Sequence, residues 1–137
     1  MSRAHRPGQA TVEFALSLLL VVVLLVGALD LGRAVCTWNT LRHAASEAAH
    51  YGSVPTRTTT EIKAHPVARA TGLGLAPGDV TVTRGVCGNP AAPVIVNVHH
   101  DFAPIAPGIS ALWGGGPIPM DGSARMYVEQ GVSPCAA

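Results

Sequence analysis

The N-terminal part of the chain contains one long apolar run. From Phe14 to Leu29 the sequence reads FALSLLLVVVLLVGAL, with Ser17 as its one polar residue and no charged residue. As a helix this run is about 24 Å long, slightly less than the roughly 30 Å hydrocarbon core of a bilayer, and flanking residues supply the remainder. The pattern predicts a transmembrane segment at about residues 14–30.

The charges on either side of this run predict its orientation. Arg3, His5 and Arg6 precede it, whereas Asp30 follows it first and Arg33 only afterwards. Because an excess of Lys and Arg marks the cytoplasmic side, we expect a cytoplasmic N-terminus. The chain would then cross the cytoplasmic membrane once, with the C-terminal domain outside.

The helical pattern continues beyond the apolar run. Apolar residues recur at steps of four, three, three, four and three, and no proline occurs between Pro7 and Pro55. The members of this stripe are Leu31, Val35, Trp38, Leu41, Ala45 and Ala48. We predict one helix over residues 9–52, with an amphipathic upper half that packs on the outer domain.

A cleaved secretory signal is the alternative interpretation of the N-terminus. Such a signal also has a basic segment followed by an apolar run, and Val26-Gly27-Ala28 offers small residues for cleavage. The helical pattern that continues after Leu29 favours a retained helix instead.

The composition changes at Gly52, because 10 of the 11 prolines and 12 of the 15 glycines lie from there onward. The Thr58 to Glu61 spacing is typical of a capping box and predicts a short helix, which Pro66 kinks or begins and Gly72 ends.

Alternating β-branched segments predict strands at residues 79–86, 94–102 and 123–128, with a turn of helix at 109–113 in the connection before the last strand. The predicted fold is α+β: a long helix on a three-stranded antiparallel sheet, in a domain spanning residues 53–137.

The composition excludes several classes of function. Only 12% of the residues are charged and the formal net charge is +1, so no basic surface for nucleic acid is expected. No nucleophile, phosphate-binding or paired-carboxylate motif is present, and therefore we expect neither an enzyme nor a cofactor. His99 and His100 are adjacent on a strand and point to opposite faces, so with Asp101 at most two ligands share a face and no metal site is predicted.

The three cysteines have no zinc or redox spacing. In an antiparallel meander the first and third strands end at the same side, which brings Cys87 and Cys135 together. We therefore predict a disulfide between these two residues if the domain faces an oxidising compartment, with Cys36 left as a free thiol.

A glutamate stands directly before the apolar run, in the segment Gly8-Gln9-Ala10-Thr11-Val12-Glu13-Phe14. A carboxylate at this place is costly if it enters lipid, although it also suits the positive end of a helix N-terminus. The segment resembles the prepilin cleavage motif of type IV pilin-like proteins. The resemblance implies that Gly8 ends an eight-residue leader at 1–8, Gln9 becomes the new N-terminus, Glu13 is the fifth mature residue and Phe14 is the aromatic residue that follows.

The resemblance is more specific to the TadE-like minor pseudopilins. It continues through Asp30-Leu31-Gly32-Arg33-Ala34 to Glu47-Ala48-Ala49-His50-Tyr51-Gly52 and so covers residues 8–52. The chain departs from the family at His50, where Arg is common, and at Cys36. The resemblance implies assembly of a tight-adherence (Tad, Flp) pilus, with other pilins and pseudopilins, a prepilin peptidase and the Tad secretion machinery as partners. It also implies that Glu13 pairs with the freed amine of a neighbouring subunit.

Two other classes of function agree with the same residues. One is an unprocessed, single-pass membrane anchor carrying an extracytoplasmic binding or structural domain. The other is a secreted soluble protein, which would follow if the N-terminal run were removed.

Overall fold

The computed structural model describes residues 7–54, 56–85, 93–106, 109–112 and 114–127. One helix, α1, runs without interruption over Pro7–Gly52 and is about 69 Å long at 1.5 Å per residue. It is followed by α2 at Thr59–Arg69, β1 at Val80–Arg84, β2 at Pro93–Phe102, α3 at Ile109–Leu112 and β3 at Ile118–Tyr127. The predicted α+β class is confirmed.

The three strands form an antiparallel meander in the order β1-β2-β3. Val80 pairs with Val98, and Val98 pairs in turn with Gly122. Even-numbered residues of β2 and β3 face the helices and odd-numbered residues face solvent, as the alternation of a half-buried sheet requires. The sheet therefore has one apolar face, and α1 and α2 cover it.

The core lies between the upper half of α1 and the sheet. The helix α1 contributes one leucine and several alanines to the core, and valines on β2 pack against them. The members with no exposed surface are Leu41, Ala45, Ala48, Ala49, Ile62, Val96 and Val98. Because the helix contributes mainly alanine, its backbone lies close to the strands.

Gly122 marks the closest approach of helix and sheet. A Cβ atom built at this position would lie 2.5 Å from the carbonyl carbon of Leu41 and 2.8 Å from the amide nitrogen of Arg42. Both atoms belong to the helix backbone, which cannot move aside as a flexible side chain can. This register of α1 against β3 therefore requires glycine.

Helix α2 begins as predicted. Thr58 is the N-cap, its hydroxyl accepts a hydrogen bond from the Glu61 amide, and the Glu61 carboxylate accepts one from the Thr58 amide at 2.8 Å. These bonds to the carboxylate lower the pKa of Glu61 below its ordinary value. Pro66 lies buried inside the helix, so it does not set the start.

Two expectations from the hydrophobic pattern were wrong. Strand β3 begins at Ile118 rather than at residue 123. On α1, the lower members of the apolar stripe, Leu31, Val35 and Trp38, are exposed instead of packing on the sheet. The inward side at that level carries Asp30, Ala34 and Thr37.

The predicted disulfide partners Cys87 and Cys135 lie outside the described residues, and their pairing stays a prediction. Cys36 is an exposed free thiol.

We predict that Gly122→Ala destabilises the domain. The added methyl group must push the helix away from β3, and overpacking of this kind costs roughly 1–3 kcal/mol. Thermal unfolding of the full chain in detergent, followed by circular dichroism, measures the loss. Gly72→Ala is the matched control because a Cβ atom there meets nothing within 4 Å. An unchanged midpoint for Gly122→Ala would contradict the contact.

Candidate functional site

The lower part of α1 is the most unusual surface of the protein. All described side chains from residue 8 to residue 25 are exposed. This segment, which we call the stem, includes eight leucine and valine side chains between Leu18 and Leu25 that are each about half exposed. Among the described helices α1 alone is long and apolar enough to cross a membrane, which indicates single-pass membrane anchoring.

The four residues predicted for processing and assembly all lie on the first two turns of the stem. Gly8 and Gln9 are exposed at the start of α1, and a Cβ atom on Gly8 would meet nothing within 4 Å. Glu13 is exposed, and the ring of Phe14 is 68% exposed. These four residues therefore lie together on one exposed helical segment.

Asp30 is the point where the stem meets the domain. Its side chain is buried although it directly follows the apolar run. One carboxylate oxygen accepts a hydrogen bond from the amide of Ala106 at 2.5 Å, and the other pairs with Arg33 at 3.0 Å. The carboxylate therefore fastens the segment after β2 to α1 across 76 positions of sequence.

Arg33 extends this junction to the end of β2. Its guanidinium lies 5.3 Å from the centroid of the buried Phe102 ring, within the range of a cation–π contact. The end of β2 and the segment after it thus contact α1 through the Phe102 ring on Arg33 and the Ala106 amide on Asp30, while the Asp30–Arg33 pair lies within α1. Sequence reasoning treated Asp30 and Arg33 as flanking charges and as part of the family resemblance, and it did not find this junction.

A strip of exposed apolar side chains continues from the stem along the side of α1. Leu31, Val35 and Trp38 form it, and Arg42 lies 4.9 Å from the Trp38 ring. This strip turns away from the sheet, so α1 offers one apolar side to the core and a second to the surroundings. Such a surface above an anchor suits contact with another helix.

The outer face of the sheet carries one charged cluster. His99 on β2 lies 2.8 Å from the Asp121 carboxylate on β3, its direct cross-strand neighbour, and 3.5 Å from the Asp101 carboxylate. The hydrogen bond that His99 donates to the Asp121 carboxylate raises the pKa of His99 above its ordinary value, and the charges of both aspartates act in the same direction. Among the described residues no group of His, Cys, Asp or Glu is arranged to hold a metal ion.

We predict that the His99 imidazole titrates above its ordinary pH range and that Asp121→Asn lowers its midpoint. A pKa raised in the folded state means that the His99–Asp121 interaction stabilises the fold fully below about pH 6.5, and that this contribution is lost as the pH rises through the folded-state value. NMR titration of the ring protons measures the midpoint. The more distant Asp101→Asn should lower it less, and an unchanged midpoint in Asp121→Asn would contradict the assignment.

Comparison with known proteins gives a family match over most of α1. Residues 8–50 match the model of the TadE-like protein family, which confirms the resemblance carried by Gly8, Glu13 and the Asp30 to Ala34 segment. The match covers the helix and not the sheet domain. Searches of curated proteins and of solved structures gave no match.

Proposed function

The segment from residue 8 to residue 50 is TadE-like, and we propose that this protein is a minor pseudopilin that takes part in assembling a Tad/Flp-type pilus. The uncovered stem is the observation that carries the proposal. An apolar helix surface of this length is stable only when lipid or other helices cover it, and a pilus subunit meets both environments in turn.

Small residues that allow close helix packing follow directly after the stem on α1. Gly27, Ala28 and Gly32 are small and allow neighbouring helices to approach closely in lipid. A Cβ atom on Gly27 or Gly32 would meet nothing within 4 Å, so the domain does not use either glycine for its own packing. These positions are therefore available to a second subunit.

Glu13 is the residue we assign to assembly. Removal of the leader after Gly8 would leave Gln9 with a free amine, and Glu13 of one subunit would pair with that amine on its neighbour. Inside a bundle of apolar stems this charge pair would be shielded from water and would fix the axial register of the two helices. The exposure of Glu13 in the single chain leaves its carboxylate accessible for that contact.

The proposed arrangement places residues 1–8 in the cytoplasm, where a prepilin peptidase would remove them, and the sheet domain outside the cytoplasmic membrane. The absence of catalytic motifs from the sequence supports a role in packing rather than in conversion of a substrate. An unprocessed membrane anchor shares the stem but needs neither cleavage after Gly8 nor a partner for Glu13. The following two predictions separate these functions.

We predict that cleavage occurs between Gly8 and Gln9 and that Gly8→Leu blocks it. A bulky side chain next to the scissile bond should exclude the segment from the peptidase, while the apolar helix still inserts. N-terminal sequencing of the protein recovered from membranes identifies the mature end. Ala4→Leu is the control, since it adds the same side chain to the leader away from the bond. A mature N-terminus near Leu29 would instead indicate a secreted protein.

We predict that Glu13→Ala abolishes incorporation or pilus formation while cleavage after Gly8 continues. Without the carboxylate, the neighbour's amine would be buried unpaired, at a cost of several kcal/mol. In a passive anchor the same change removes a charge from the bilayer edge and should slightly favour insertion. The measurement is pilus yield at equal protein abundance.

Ser17→Ala provides the matched control for Glu13→Ala. It removes a polar group one turn further along the stem but changes no charge, so pilus yield should stay normal. Normal pili with processed Glu13→Ala protein would remove the assembly role of Glu13.

A further inference from the structure

The apolar run is shorter than the bilayer that it has to cross. A span needs about 20 residues, so a helix that enters the hydrocarbon at Phe14 leaves it near Arg33. Asp30 lies inside this interval, directly after Leu29. An unpaired carboxylate exposed to lipid at that depth would cost free energy. The outer boundary of the hydrocarbon region would then have to lie on the N-terminal side of Asp30.

The Asp30 carboxylate is not bare. Its residue is only 3% exposed, because the segment 103–106 lies against it and supplies the Ala106 amide as a hydrogen-bond donor. Arg33 balances its charge at 3.0 Å. Asp30 therefore presents almost no polar surface to its surroundings, and the outer boundary of the membrane can lie above it.

The side chains exposed at this level are apolar. Leu29 and Leu31 flank Asp30 on the helix and are 62% and 68% exposed. Ile105 precedes Ala106, and adjacent Cα atoms are about 3.8 Å apart, so the hydrogen bond to Asp30 fixes Ile105 at the same height. Ile105 is itself 68% exposed, although its neighbour Ala106 is buried.

We propose that Leu29, Leu31 and Ile105 form an apolar collar that lies in the outer edge of the hydrocarbon region. Lipid acyl chains contact the segment 103–106 as well as the helix, and the collar is continuous with the stem. The half-exposed Arg33 side chain lies one turn above Leu29, at the level where lipid phosphates accept hydrogen bonds. The collar completes the span on its outer side.

This inference rests on the membrane anchoring in the proposed function and not on processing or pilus assembly. The collar has a consequence for the domain, because a second point of contact with the bilayer limits how far the sheet can tilt about the helix axis. The Asp30 hydrogen bond is the element that holds this second point in place.

Quenching of tryptophan fluorescence by brominated lipid tests the collar. Ile105→Trp is introduced into full-length protein carrying Trp38→Phe and Trp113→Phe, and the protein is reconstituted into phosphatidylcholine vesicles brominated on the acyl chain near the headgroup. We expect a clear loss of emission relative to vesicles of unbrominated lipid. Tyr127→Trp is the control, since Tyr127 is similarly exposed but pairs with Pro93 at the other end of the sheet.

Further variants separate the possible outcomes. Asp30→Ala combined with Ile105→Trp should restore emission, because the segment is released, whereas Asp101→Ala should not. Leu24→Trp lies near the middle of the span and is measured with lipid brominated near the end of the acyl chain. Quenching there without quenching of Ile105→Trp by the headgroup-proximal bromines would overturn the collar alone, and absence of quenching at Leu24→Trp would overturn the anchoring with it. Emission from Ile105→Trp that shifts to the blue without quenching, and only at high protein-to-lipid ratio, would assign the surface to a second copy of the chain.

Labelling of the unaltered chain gives an independent measurement that does not depend on the folding of any variant. A phosphatidylcholine with a photoreactive group on its acyl chain, incorporated into the same vesicles, should label the peptide that contains residues 103–106. The peptide that ends at Tyr127 should stay unlabelled. Labelling confined to the stem would overturn the collar.

Discussion

The architecture depends on how closely the backbone of α1 approaches the sheet. At Gly122 the helix carbonyl of Leu41 leaves no room for a side chain, and the alanines above it keep the same short separation. This contact fixes the rotation and the height of α1 against β3. Once both are fixed, Asp30 is placed opposite Ala106, and the uncovered side of the helix is determined as well.

The sequence is sufficient to predict which helices and strands form, but less so to predict where they end and which of their sides are buried. The capping box at Thr58 and the alternation in β2 were predicted correctly, because local interactions produce both. The early start of β3 at Ile118 was missed, since Pro119 and Gly122 interrupt the alternation with residues that strands disfavour. Gly122 is nevertheless required there, for a tertiary reason that no local pattern reveals.

The side of α1 that faces the sheet was likewise only partly predicted from the sequence. From Leu31 to Ala48 the predicted stripe advances about 3.4 residues per step, less than the 3.6 of a helix, so it turns by about 100° around the axis. Its upper end faces the core and its lower end faces away. The inward side below Leu41 carries Thr37, Ala34 and finally Asp30, whose partner at Ala106 lies 76 positions away and has no motif of its own. The predicted cleavage and assembly residues, in contrast, rest on a signal that lies within seven consecutive positions, 8–14.

Pro119 has a consequence for how copies of this protein can associate. The ring nitrogen of a proline carries no hydrogen, and within a paired strand that nitrogen faces the free edge, so β3 lacks a donor near its beginning. The opposite edge strand, β1, is only five residues long. Both edges are therefore poor templates for extending the sheet with another chain. Polymerisation through β-structure, the route to irreversible aggregates, is therefore disfavoured for this sheet.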